Sequence, residues 1–352
     1  MWKLQLMFMK HVNFSYNCFS EKGEVSLPDK VFTTSCLEDG FQPIVFLDSC
    51  VCLHIIKVVE HKRKAQGVNI QRILALKEYI AKYPETRIDP FFAFLELCSQ
   101  KESFDFEKFE DFRHRIDFFT QVPIKIFKSF NYDFYRDFFV FRRIPPMKGD
   151  PMEPVNQILK NSYCTLLKIR SLATKGLTKS NAEYNIDALA DWMTNELNIF
   201  RGAEYKLGMN IFGGNTEFRK MIGLDNKPKD VKKKLKGTAW DMFHSKFTAN
   251  SFRISEILQK AIYPFFLTSD ANLFKIFQNF SIEIVKDGGE NFVTSFVMTS
   301  DFSYPHLDDT FIEKNNKKLF YLFVNRSNHQ HLFNEEKVDR MISELEAENN
   351  IP

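Results

Sequence analysis

Two short runs, Ile44-Val45-Phe46-Leu47 and Pro264-Phe265-Phe266-Leu267, are apolar at every position and stop at polar residues: Asp48-Ser49 after the first, Thr268-Ser269-Asp270 after the second. A strand wetted on one side alternates apolar with polar residues. An unbroken apolar run this short marks instead a strand covered on both faces, as in a parallel sheet clad by helices. The residues that follow agree, because Leu53 to Val59 and Ala271 to Phe277 both read as helices. Strand-helix alternation at both ends makes the chain an α/β protein.

Between the two runs the pattern is helical. Ile70, Ile73, Leu74, Leu76 and Ile80 keep helical spacing, and a further helix starts at Pro90-Phe91-Phe92 with proline in its first turn. Phenylalanine is abundant, 39 of 352 residues, and Phe109, Phe112, Ile116 and Phe119 recur on one helical face. That periodicity predicts core or a partner surface rather than a base-stacking platform. Ile144 to Pro151 is the strongest chain punctuation, after which Ile186, Leu189, Ala190, Met193, Leu197 and Phe200 form one stripe and Glu204 to Ile211 continue helically to Gly213-Gly214. Ala239-Trp240-Asp241-Met242-Phe243 opens a helical pattern that reaches Ile262. Ile282 to Val285 and Phe292 to Met298, joined across Asp287-Gly288-Gly289, read as a hairpin or as successive strands, and Leu319 to Val324 as one more strand.

Composition removes several classes. With 44% hydrophobic and 26% charged residues the chain is expected to fold and to be water-soluble. A net charge of +3 is too small to advertise nucleic-acid binding by itself. No long apolar segment predicts a membrane span, and Met1 to Val12, carrying Lys3, Lys10 and His11, lacks a cleavage site, so the expected location is the cytoplasm. The six cysteines show no zinc or redox spacing, which predicts reduced, buried thiols. Gly213-Gly214 lacks the Lys-Ser/Thr of a phosphate loop, and no serine-hydrolase elbow occurs.

In an open parallel sheet, ligands bind beyond the carboxyl ends of the strands, so Asp48 and Asp270 are delivered to one edge. Neighbouring carboxylates repel unless a cation compensates them, which Mg²⁺ or Mn²⁺ does through oxygen ligands. Glu96 and Asp241, each on a helix beside the predicted sheet, are the natural third and fourth members.

Taken together, Val45-Phe46-Leu47-Asp48-Ser49, Phe91-Phe92-Ala93-Phe94-Leu95-Glu96-Leu97, Ala239-Trp240-Asp241-Met242-Phe243 and Phe266-Leu267-Thr268-Ser269-Asp270-Ala271-Asn272-Leu273 resemble, in this order, the PIN-like metal-dependent nucleases. The resemblance implies that Asp48, Glu96, Asp241 and Asp270 are metal ligands and catalytic residues, with Ser49 and Thr268 as supporting hydroxyls. It implies phosphodiester hydrolysis, on RNA ahead of DNA, and the toxin or phage-defence role of many small members. The fold it implies is a PIN-like parallel-sheet core at residues 40–100 and 230–300, interrupted by a phenylalanine-rich helical insertion at 101–229. Residues 1–39 then form an N-terminal extension and 301–352 a small α+β C-terminal extension. The size of the insertion departs from compact members and leaves substrate choice open.

Blander readings compete with several of these residues. A lone aspartate after a strand is most often a helix cap. Glu204 is a second-tier supporting ligand whose favoured reading is a solvated helix charge. His244, three residues beyond Asp241, is more readily a hydrogen-bonded structural histidine than a ligand. Lys232, Lys233, Lys234 and Lys236 are either a solvated linker or phosphate contacts for nucleic acid. The competing function is a catalytically inactive PIN-like scaffold whose helical insertion binds a protein partner or builds a homo-oligomer.

Overall fold

The computed structural model describes residues 27, 29–99, 104–137, 139, 150–249, 261–271, 273, 281–286, 292–297, 303–326 and 334–352. The expectations for residues 1–26 and Cys18 therefore lie outside the described residues. The chain divides into two compact units, one formed by residues 1–152 and 244–299 and the other by 153–243 and 300–352.

The first unit opens with α1 (Lys30–Glu38), β1 (Gln42–Leu47), α2 (Ser49–His61), α3 (Ile70–Lys82), β2 (Arg87–Asp89) and α4 (Phe91–Cys98). Next come α5 (Phe106–Gln121), α6 (Ile124–Ser129) and α7 (Asp133–Asp137), and the sheet is completed by β3 (Ile262–Leu267). The strand order is β2-β1-β3, and β1 pairs in parallel with both neighbours. The two apolar runs are thus adjacent strands, with Leu47 level with Leu267 and Phe46 level with Asp89.

Burial on both faces explains why neither run alternates. Val45 and Leu47 join Phe265 and Leu267 in a large core with α2 and α5, whereas Ile44 and Phe46 turn to the other side with Ile262, Phe266 and Leu273. Helix α2 is rich in β-branched residues, which are mediocre helix formers, but it buries Val51, Ile55, Ile56, Val58 and Val59, and packing overrides propensity. Each such side chain contributes about 1.5–3 kcal/mol on burial.

The phenylalanine stripe is core of this same unit. Phe109, Ile116, Phe118 and Phe119 are buried against the sheet cluster, and Phe127 stacks on Tyr132 with ring centroids 5.5 Å apart. The Tyr132 hydroxyl donates to the Val58 carbonyl at 2.8 Å, tying this aromatic block to the last turn of α2. The expected boundary at residue 100 is accordingly displaced, because residues 104–139 pack with the sheet and the break comes at Met152, just after the proline-rich punctuation. Strands β4 (Ser281–Lys286) and β5 (Phe292–Val297) pair antiparallel, the hairpin of the two arrangements the sequence left open.

The second unit is helical: α8 (Glu153–Thr174), α9 (Lys179–Asn195), α10 (Gly202–Phe212), α11 (Pro228–Ala249, whose end from His244 onward falls in the first unit), α12 (Asp309–Arg326) and α13 (Glu335–Glu348). Helix α10 is central, buried from Ala203 to Phe212. At Gly208 a Cβ would stand 2.5 Å from Leu189 Cδ2, so any larger residue there would have to displace the Leu189 side chain between α9 and α10. Helix α13 is held to α8 by the Tyr163 hydroxyl donating to Glu346 at 2.6 Å.

Three expectations are corrected here. Leu319 to Val324 lies within α12, not in a strand; Phe311 and Asn315 are buried one turn apart upstream, so the apolar run continues a helix already under way. The described part of 303–352 is therefore helical and belongs to the second unit, not to a separate α+β extension. Glu204 is fully buried rather than solvated, bonded by the Ser162 hydroxyl and paired with Arg201 at 3.4 Å. Among the described residues no helix is long and apolar enough to cross a membrane.

Candidate metal centre

Asp48 follows the last residue of β1 and occupies the N-cap position of α2, but its side chain makes no capping bond to the helix. The carboxylate, 5% exposed, is instead held by side-chain donors. Thr268 donates to it at 2.5 Å, the Cys50 thiol at 2.8 Å and the Ser49 hydroxyl at 3.4 Å. Strand register creates the first of these bonds, because Leu47 and Leu267 are level and the residues after them emerge side by side; the Asp48 amide also donates to the Leu267 carbonyl at 2.9 Å. Thr268 is fully buried and accepts the Asp270 amide at 2.9 Å, which leaves its hydroxyl hydrogen for Asp48.

Glu96 is brought in by α4. Asp89, at the end of β2, accepts the Phe91 amide at 3.0 Å and so fixes where the helix starts. Phe92 packs on Phe46 with centroids 5.8 Å apart. Glu96 lies one turn beyond Phe92 and Asp48 two residues beyond Phe46, so this ring contact carries the two carboxylates toward each other. His244, 2% exposed, lies against the Phe266 ring at 5.3 Å, and its Nε2 is 3.2 Å from Glu96 Oε2. Asp48, Glu96 and His244 each offer a ligand atom within 4.8 Å of the others.

The donor set suits a divalent ion. Buried carboxylates are normally paired with a cation or bound to a metal, yet among the described residues neither Asp48 nor Glu96 forms an ion pair with lysine or arginine; the one basic contact is His244. The negative field registers on the neighbouring thiols. Burial pushes Cys50 and Cys52 up, and the charge of Asp48 adds to the rise at both. Both thiols are thus protonated, and Cys50 serves as a donor to Asp48. Cys36, Cys50, Cys52, Cys98 and Cys164 are all free.

The remaining sequence-predicted residues fall elsewhere. Asp270 is exposed, and its Oδ1 accepts the Leu273 amide at 3.1 Å, a helix-capping role. Asp241 is half-buried on α11, one turn before His244, in the second unit. Glu204 also belongs to the second unit, bonded to Ser162 and Arg201. The lysine run lies in the first half of α11: Lys233 and Lys236 are exposed, whereas Lys232 pairs with Glu346 at 3.0 Å. The sequence favours a structural histidine over a ligand at His244; its place one turn beyond Asp241 is the signal that pointed to the site. No protein-family profile matches this chain, and neither a curated protein nor a solved structure does.

Proposed function

We propose that the first unit is the catalytic core of a PIN-like, divalent-metal-dependent nuclease acting on RNA in preference to DNA. The observation that carries this reading is the convergence of buried Asp48, partly buried Glu96 and buried His244 at the carboxyl edge of a parallel sheet, where among the described residues no lysine or arginine pairs with either carboxylate. Asp48 and Glu96 would supply the charge that holds the ion, and His244 a nitrogen ligand. A bound divalent ion supplies a nucleophile from water at neutral pH and disperses charge on a phosphodiester. Thr268 and Cys50 orient the Asp48 carboxylate. Asp270, two residues beyond Thr268, is a further acid of the proposed set, with Ser49 as a supporting hydroxyl and the exposed Lys233 and Lys236 as sequence-independent phosphate contacts.

The deciding experiment incubates the purified chain with mixed RNA and single-stranded DNA, in Mn²⁺ or EDTA, beside Asp48→Asn. Cleavage that needs metal and vanishes in the variant is expected. Equal cleavage by pure Asp48→Asn would overturn the assignment, and metal binding without cleavage of either polymer would favour an inactive scaffold.

A further inference from the structure

A cavity of 440 Å³ in the first unit is lined by Lys77 and Ile80 of α3, Pro84 and Thr86 ahead of β2, and Val122 and Ile124 around the α5–α6 junction. It lies at the end of the sheet away from Asp48, since Arg87, which follows Thr86, is level with Ile44 at the start of the β1–β2 pairing. Its volume is in the range of small-molecule sites, about 300–1,000 Å³.

Lys77 is the unexplained group on its wall. The side chain is 2% exposed, so its ammonium does not reach bulk water along the usual extended path. Among the described residues its hydrogen-bond partner is the Thr120 carbonyl at 2.9 Å, with the Phe119 ring 5.6 Å from Nζ. An ammonium has three donors, of which among the described residues the Thr120 carbonyl takes one. A buried charge lacking a counter-ion is costly, and burial alone pushes this amine down to about 8.

We propose that this cavity binds a small organic anion, its carboxylate or phosphate head held by Lys77 and its apolar body resting on Ile80, Pro84, Val122 and Ile124. The site is independent of the acidic cluster and stands whether or not the chain is a nuclease.

Calorimetric titration of the full chain with hexanoate, hexyl phosphate, hexanol and hexylammonium tests the proposal. Saturable binding of at least one anion is expected, with the comparison of hexanoate and hexyl phosphate identifying the head group. Hexanol and hexylammonium should bind at least about tenfold more weakly, the loss expected on removing one charge-assisted contact. Lys77→Met keeps the stem and should lose binding by a similar factor. Ala81→Trp, which fills the cavity wall and leaves Lys77 in place, should lose it too and decides the matter if the first variant does not fold. Absence of anion binding at millimolar concentrations, equal binding of hexanol, or undiminished binding by the variants would overturn it.

Discussion

Thr268 joins β3 to Asp48 at the end of β1 through a buried hydroxyl that donates to the carboxylate at 2.5 Å while accepting the Asp270 amide at 2.9 Å. Both ends of this relay are fixed by backbone, so the carboxylate is held in place before any ion arrives. Thr268→Val removes the hydroxyl and leaves an amide and a carboxylate oxygen without that partner. Supporting bonds of this kind typically change metal affinity by about 10- to 100-fold, and the unmade hydrogen bonds should cost about 1–3 kcal/mol of stability. Mn²⁺ calorimetry and urea unfolding measure the two effects; unaltered Mn²⁺ affinity would remove the positioning role of Thr268.

The mixed donor set also sets metal choice. Mg²⁺ favours oxygen ligands and keeps its waters, whereas an imidazole is better accepted by softer first-row ions. Mn²⁺ should therefore raise the melting temperature at lower concentration than Mg²⁺, and His244→Ala should narrow the gap. Dose-response curves by scanning fluorimetry test this, and equal potency of the two ions would argue that His244 does not coordinate.

Glu204 makes a contrasting case. It is fully buried, with the Ser162 hydroxyl and Arg201 as partners, so Glu204→Ala strands a partly buried guanidinium. Removal of one member of a buried pair costs about 3–5 kcal/mol. Chemical denaturation should register that loss while Mn²⁺ affinity of the folded variant stays unchanged; a loss of Mn²⁺ affinity would restore Glu204 as a ligand.

On α11 the lysines divide by environment. Lys233 and Lys236 are exposed, and Lys232 is engaged with Glu346. If the first two contact phosphates, each should contribute about 0.7 to the slope of log affinity against log salt for single strands. Binding of an oligoribonucleotide across a salt series, wild type against Lys233→Ala/Lys236→Ala, should then differ by about 1.4 in slope. An identical slope would retire this patch.

Lys77 gives a pH dependence of stability. Its amine is pushed from the ordinary 10.5 down to about 8 by burial. Between those values the unfolded chain binds the proton that the folded chain has released, so stability rises from about pH 8 toward pH 10.5, and below about 8 the cost of the buried charge is fully present. Lys206, buried in the second unit and likewise lowered to about 8, adds a parallel rise. Lys77→Met should stabilise the chain at pH 7 and flatten the increase without abolishing it, as read from urea unfolding at pH 7 and 9. A steeper rise in the variant would contradict the linkage.

What the sequence made legible follows from what local pattern encodes. Ile44 to Leu47 and Phe265 to Leu267 announced doubly covered strands because burial on both faces leaves no polar residue to break the run, and Asp48 stood out because it ends one. Strand β2 escaped notice, since Arg87-Ile88-Asp89 is three residues long with two charges. Leu319 to Val324 was ambiguous in itself, a short apolar run that only its upstream turns identify as helical. Glu204 looked like a surface charge because its partner Ser162 is 42 residues away, and the value of His244 depended on Glu96, 148 residues away. Periodicity reports which side of an element is buried, but not which distant side chains meet there.

Helix α2 bears the Asp48 carboxylate at one tip and receives the Tyr132 hydroxyl near the other, with thirteen residues between its ends. At 1.5 Å per residue this is a stiff rod of about 20 Å. The hydrogen bond from Tyr132 therefore anchors the far end of the element whose near end carries an acid of the cluster.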